Sequence, residues 1–302
     1  MNAATPKTIP DYLDQLRHAL RGADPALVQD ALYDAEEYLR SELADNPGTD
    51  EATLLANIAT TYGAPEEVAD IYRDTEVQVS KALSPPPKPA QRSALGGFFG
   101  VVTDARAWTA LFYMLLSMAT GIVYFTVVVT GLSLSAGLAV LIIGIPFVIL
   151  FLGVVRLLSL VEGRLVEVML GERMPRRPLY AERGLPLMTR IGRMFTDPRT
   201  WTTMLYMLLM LPLGIVYFTV AVTLLSVSLG LIAAFVVALA EILGIGMLDV
   251  DWYVTLPAMW ELPLLLLVGV LGLFLTLHLA KLVGWLHGTL AKHLLVKTAQ
   301  HA

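Results

Sequence analysis

No cysteine occurs among the 302 residues. Disulfides, thiolate metal sites and a cysteine nucleophile are therefore excluded, while the redox compartment stays open. The five histidines are not spaced as zinc ligands, and there is no P-loop, no G-x-S-x-G elbow, no H-E-x-x-H and no dinucleotide fingerprint. The amino terminus, MNAATPKTIPDYLDQLRHAL, lacks an apolar core followed by a small-residue cleavage site, so no secretory signal is expected. Charge is scarce, at 16% of residues against 56% hydrophobic. Lysine and arginine are missing altogether between Arg199 and Lys281. Such gaps suit membrane spans. No enzyme activity, cofactor, metal or direct nucleic-acid ligand is expected.

The scarce charge is unevenly spread. Residues 1–83 hold 16 acidic and 6 basic side chains, whereas 84–302 hold 10 acidic and 15 basic, giving net charges of −10 and +5. The front therefore reads as a soluble acidic domain and the remainder as a membrane module with basic flanks. SPPPKPAQRS, residues 84–93, separates them as a proline-rich linker that favours extended backbone.

Residues 1–83 read as a bundle of about four helices. Tyr12, Leu16 and Leu20 recur at helical spacing before Gly22, and Asp24–Pro25 forms a cap and first-turn pair. Val28, Leu32, Ala35, Leu39 and Leu43 make an apolar stripe on the second helix. Asp30, Asp34, Glu36 and Glu37 on its other side form a candidate partner surface, most simply a solvated face. A third helix fits Asp50 to Gly63, and Pro65 starts a fourth. DYLDQLRHAL, DAEEYL and GAPEEVA in this order resemble the HAAS domain, a helical domain of bacterial signalling proteins.

The membrane module is duplicated. Thr103–Leu138 aligns without a gap on Thr196–Leu231, and 23 of 36 positions are identical. Each copy opens on TD-x-R-x-W and then runs apolar for more than the roughly 20 residues needed to cross a bilayer. Asp104 and Asp197 are expected to cap these helices, with Arg106, Trp108, Arg199 and Trp201 as anchors at the headgroup level. Four spans are expected, at about Ala107–Gly131, Leu138–Leu160, Trp201–Leu225 and Leu264–Leu286, the first two joined by an SLSAG turn. Leu229–Met247 is a further apolar segment, expected to be re-entrant, interfacial or an extension of the third helix. The expected organisation is a repeat at 94–172, an arginine-rich linker at 173–195, a second repeat at 196–295 with an outer loop at 248–262, and a tail at 296–302. Arginines clustered from 156 to 199 and lysines at 281, 292 and 297 put both termini in the cytosol.

The paired RAWTALFYMLL and RTWTTMLYMLLMLPLGIVYFTV entries, the repeated GIVYFTV and the aromatic DVDWYVTLPAMWELP resemble the sensor domain found ahead of bacterial histidine kinases and in stand-alone membrane proteins. The resemblance implies a bacterial inner-membrane protein whose output, in the absence of a kinase region, passes through the N-terminal bundle.

Several side chains are candidates for function. Arg173, Arg176, Arg177 and Arg183 could dock the acidic bundle, releasing it toward an unidentified cytosolic or membrane protein partner when the spans rearrange. Glu241, Asp249, Asp251, Trp252 and Glu261 form a candidate outer ligand patch. His278 and Lys281 are expected to snorkel or to pair with Glu162 or Glu167. Repeated hydroxyls, Thr126, Thr130, Ser133 and Ser135 with Thr219, Thr223, Ser226 and Ser228, are expected at helix contacts. A small transporter would line a polar cavity with them, and a membrane scaffold would self-associate through the spans as a homo-oligomer.

Overall fold

The computed structural model describes residues 6–83, 98–138, 144–175, 192, 196–245 and 260–296, and among these it is all-α. The linker at 84–93 lies outside the described residues.

Four short helices build the N-terminal bundle: α1 (Ile9–Ala19), α2 (Pro25–Asp45), α3 (Glu51–Thr61) and α4 (Pro65–Leu83). Their ends follow from local chemistry. The Thr8 hydroxyl accepts the Asp11 amide at 3.2 Å, Asp24 Oδ1 accepts that of Ala26 at 2.8 Å, and Glu67 reaches back to the Ala64 amide at 3.1 Å. Tyr12, Leu16, Leu39, Leu55 and Val68 meet in the core. The Tyr12 hydroxyl crosses it to donate to the Gly63 carbonyl at 2.8 Å, fixing the α3–α4 turn. Ile9 N donates to Glu51 Oε1 at 2.6 Å, and Tyr38 stacks on Tyr62 with ring centroids 4.4 Å apart.

Four long apolar helices follow: α5 (Ala105–Leu138), α6 (Gly144–Leu170), α7 (Pro198–Ile242) and α8 (Leu262–Leu295). Even the shortest, at 27 residues, extends about 40 Å, enough for a hydrocarbon core of roughly 30 Å. α5 and α7 begin at equivalent positions of the duplication, and each aspartate caps as expected: Asp104 accepts from Arg106 N at 3.2 Å and Asp197 from Arg199 N at 3.1 Å.

Two expected boundaries are corrected. SLSAG is no turn: α5 stays helical through it to Leu138, and α6, the helix of the second span, continues to Leu170, past the expected end at Leu160. Without water to satisfy exposed amides, serine and glycine in an apolar run cost less than breaking the backbone ladder. For Leu229–Met247, the extension is what forms: α7 continues, through Pro212, to Ile242. Gly244 then ends it with φ +71°, and the Ile245 amide returns to the Ala240 carbonyl at 3.0 Å, a glycine-dependent stop.

By its contacts the chain forms two units. One comprises Met1–Lys88, Thr130–Tyr206 and Thr289–Ala302, the other Pro89–Val129 and Met207–Gly288. In the first, Gly131 of α5 lies against the Phe151 ring of α6, with no room for a side chain. In the second, Gly269 and Gly272 of α8 face Ser228 of α7. There too, a Cβ on Gly121 would stand 2.5 Å from the Met210 carbonyl oxygen, and one on Gly214 would meet that of Ser117. Met210 and Ser117 are themselves equivalent positions, so the two copies make this contact reciprocally.

Candidate functional site

Within the first unit the N-terminal bundle meets the ends of α6 and α8. Ala26, Leu27, Val28, Gln29, Asp30 and Ala31 are all buried, which places both sides of the first two turns of α2 out of solvent. Val28 and Ala31 belong to the bundle core, whereas Ala26, Leu27, Gln29 and Asp30 do not. Part of the cover of Asp30 comes from outside the bundle, from Arg173.

The contacts from outside the bundle are charged. α6 ends at Leu170, and Gly171 (φ +76°) redirects the chain. Met174 then folds back on Gly163, where a Cβ would lie 3.4 Å from its own, and is buried to 1% exposure. Arg173, held beside it, comes to 4.0 Å from Asp30, with both side chains mostly shielded. Lys292, in the last turn of α8, donates to Asp24 Oδ2 at 2.5 Å and lies 3.8 Å from Glu172. Asp24 thus caps α2 with one oxygen and holds α8 with the other. A lysine in a last turn also complements the helix dipole. Five charged groups here alternate in sign across one junction.

The proposed acidic surface is largely consumed inside the protein. Asp30 is 6% exposed and faces Arg173, and Asp34 Oδ2 accepts the Tyr72 hydroxyl at 2.9 Å. Glu36 pairs with Arg40 at 2.9 Å, and Glu37 is half-buried. Burial of the Tyr72 ring and its bond to Asp34 raise the Tyr72 phenol above its ordinary value. The expectation of a simply solvated face therefore fails for Asp30 and Asp34. Arg176, Arg177 and Arg183 lie outside the described residues.

Two buried polar pairs join the copies, and neither follows from the sequence reading. In the first unit Tyr206 of α7 donates to Glu162 of α6 at 2.7 Å. In the second, the hydroxyl of Tyr113 on α5 lies 2.6 Å from His287 Nε2 on α8, and that of Tyr217 lies 3.4 Å from Nδ1. Tyr113 and Tyr206 are equivalent in the duplication, so Glu162 in LVEGRL and His287 in WLHGTL occupy matching places, each before a glycine. That weak x-[E/H]-G-x-L echo is the one sequence signal for them. Glu162 and His287 are fully buried, and such polar groups among apolar helices need partners.

The remaining candidates scatter. Trp108 and Trp201 are about half exposed, at 49% and 51%, and Trp108 Nε1 donates to the Val102 carbonyl at 2.8 Å. Arg106 is exposed and Arg199 half-buried. Lys281 pairs with Asp104 at 2.8 Å, and His278 bonds the Phe98 carbonyl at 3.2 Å and stacks on its ring, so neither has the expected partner Glu162 or Glu167. The start of α5 offers both groups a nearer acceptor. Thr126, Thr130, Ser133, Thr219, Thr223 and Ser226 are exposed on their helices, correcting their expected place at helix contacts; among them and their repeats only Ser228 is buried. A hydroxyl can satisfy itself on its own helix, so it need not face a neighbour. Glu241 sits in the last turn of α7 and Glu261 just ahead of α8, both half-buried, while Asp249, Asp251 and Trp252 lie outside the described residues. Among the described residues no group of three or more His, Asp or Glu could hold a metal.

The comparisons agree with this architecture. The HAAS family model matches residues 11–71, which are the bundle, and the Sensor family model, described as Putative sensor, matches residues 113–295, which are the long helices. No curated protein and no solved structure matches the chain. Neither matched family is an enzymatic one. Four membrane-length helices under a model that spans more than half of the chain, preceded by the HAAS bundle, make this a membrane protein of the Sensor family.

Proposed function

We propose that the protein is a non-enzymatic signalling accessory of the bacterial inner membrane, in which the four-span module perceives a membrane or envelope condition and controls how the HAAS bundle is held. The observation that carries this reading is the junction of Asp24 with Lys292 and Asp30 with Arg173. It ties the domain that would engage a partner to the ends of two spans. A rearrangement of α6 against α8 separates Arg173 from Lys292, and the bundle cannot follow both. One ion pair breaks, and surface around Ala26 and Leu27 becomes available to a cytosolic or membrane protein. The arginines and lysines at these ends favour a cytosolic position for the bundle and both termini.

The transporter reading loses its specific support, because its repeated hydroxyls are mostly exposed instead of lining a cavity. Homo-oligomerisation remains compatible with signalling.

Limited proteolysis in inverted membrane vesicles tests the proposal through cleavage at the 84–93 linker. Lys292→Glu with Arg173→Glu should speed cleavage at least about tenfold, the effect of losing roughly 1.4 kcal/mol of docking. Asp24→Lys combined with Lys292→Asp should restore protection. Unchanged cleavage in the double reversal would eliminate docking. Affinity purification of the full chain beside a version lacking residues 1–83 then tests output: a partner lost with the bundle supports signalling, and identical partners place function in the spans.

A further inference from the structure

Ahead of α5 the chain makes a 3-10 turn, Gly100–Thr103, within the second unit. One side of it is seated on α8. Phe98 stacks on His278 with ring centroids 5.1 Å apart and lies 5.4 Å from the Phe274 ring, and its carbonyl accepts from His278 Nε2 at 3.2 Å. Val101 is buried, and Asp104 closes the seat through Lys281 at 2.8 Å. The other side is apolar and open. Phe99 meets Phe274 edge-on at 5.0 Å yet stays 51% exposed, with Val102 at 43% and Trp108 at 49%.

These side chains share one face. Three residues complete a turn of 3-10 helix, so Phe99 and Val102 stand one above the other. The Trp108 indole joins them, because its Nε1 donates to the Val102 carbonyl at 2.8 Å. Phe112 follows Trp108 at the four-residue spacing that keeps one side of an α-helix, and Val123 lies about three turns further along the same side; both are exposed. Turn and span therefore present a continuous apolar surface. An interfacial indole ordinarily offers its N–H to water or a headgroup, but this one is already bonded within the chain, so the ring presents carbon alone. Arg106 and Lys281 are exposed at the border of this face. In the first unit Trp201 and Leu205, the equivalents of Trp108 and Phe112, are exposed in the same way.

We propose that Phe99, Val102 and Trp108 form a wedge set among the upper acyl chains of the bilayer, so that membrane contact begins ahead of the first span. Lipid is the occupant because the face continues the exposed apolar side of a membrane-length helix, and because cations border it where anionic headgroups lie. Trp108 then sits deeper than the headgroup level expected from the sequence. The seat on α8 holds the wedge at this depth. It is independent of bundle docking.

Because the chain has no cysteine, a single introduced one can carry a fluorescent label. Full-length Phe99→Cys and Val102→Cys, labelled with a nitrobenzoxadiazole probe in nanodiscs of phosphatidylglycerol and phosphatidylethanolamine, test the wedge. Phe112→Cys, on the span itself, is the lipid reference, and Asn57→Cys, exposed on α3, is the aqueous one. Labels at 99 and 102 should behave as at 112, with blue-shifted emission that is lost to lipids bearing a nitroxide near the top of the acyl chain and kept under iodide. Two positions are used, so one poorly expressed variant leaves the other to decide. Loss of emission to iodide, as at 57, would put the face in water and overturn the proposal. Protection from both quenchers would overturn it too, since a second copy or another protein would then cover the face.

Discussion

Tyr72 and Tyr12 show how single side chains lock the bundle. Tyr72 donates to Asp34, and Tyr12 donates to the carbonyl of Gly63. Replacing Tyr72 by Phe removes the donor and leaves the half-buried carboxylate one contact short, so the bundle should lose about 1–3 kcal/mol. Faster hydrogen exchange confined to α2 and α4 is the expected signature. Burial, foremost, raises both phenols above their ordinary value near 10. The folded state keeps protons that the unfolded chain releases, so their contribution is intact below pH 10 and fades as pH rises beyond it. Alkaline loosening of the bundle should consequently be weaker in Tyr12→Phe with Tyr72→Phe, as followed by exchange rates between pH 9 and 11. Glycine 171 acts at the same scale: its positive φ turns the chain so that Met174 can cover Gly163 and Arg173 can face Asp30.

Among helices, close approach matters more than polarity. Gly121 and Gly214 each meet a backbone carbonyl of the other copy, which a methyl group cannot tolerate without displacement. Gly121→Ala or Gly214→Ala should cost about 1–3 kcal/mol, read as a lower melting temperature in detergent. The equivalent pair Gly137 and Gly230, with nothing within 4 Å of an added Cβ, should accept alanine without loss. Much at this scale was legible in the chain: the starts of α5 and α7 follow from the TD-x-R-x-W repeat, and the bundle helices from Asp24–Pro25, Gly63 and Pro65. Outer boundaries were harder, because SLSAG resembles a turn in water and behaves as helix in an apolar stretch. Partners of His278, Lys281, Glu162 and His287 were illegible, since each depends on where a helix 44 to 180 residues away comes to rest. The pairing of Asp24 with Lys292 was not legible, because Asp24 already had a sufficient role as a cap.

For the whole molecule, a signalling role requires that the bundle respond to the spans, and charge reversal at Lys292 and Arg173 is the direct examination of that coupling. The crossed tyrosine pairs carry another consequence. Tyr113 of the first copy reaches His287 of the second, and Tyr206 of the second reaches Glu162 of the first. Together with the exchanged glycine contacts, this is the reciprocity of an isologous interface, residue i on j and j on i. Its implication is for assembly: the contacts that join the two copies do not run through the chain between them. The link at 173–195 is then dispensable for assembly, although the bundle uses its first residue. Two coexpressed fragments, 1–175 and 196–302, should copurify as a one-to-one complex, whereas failure to associate would mean that the halves need the chain between them.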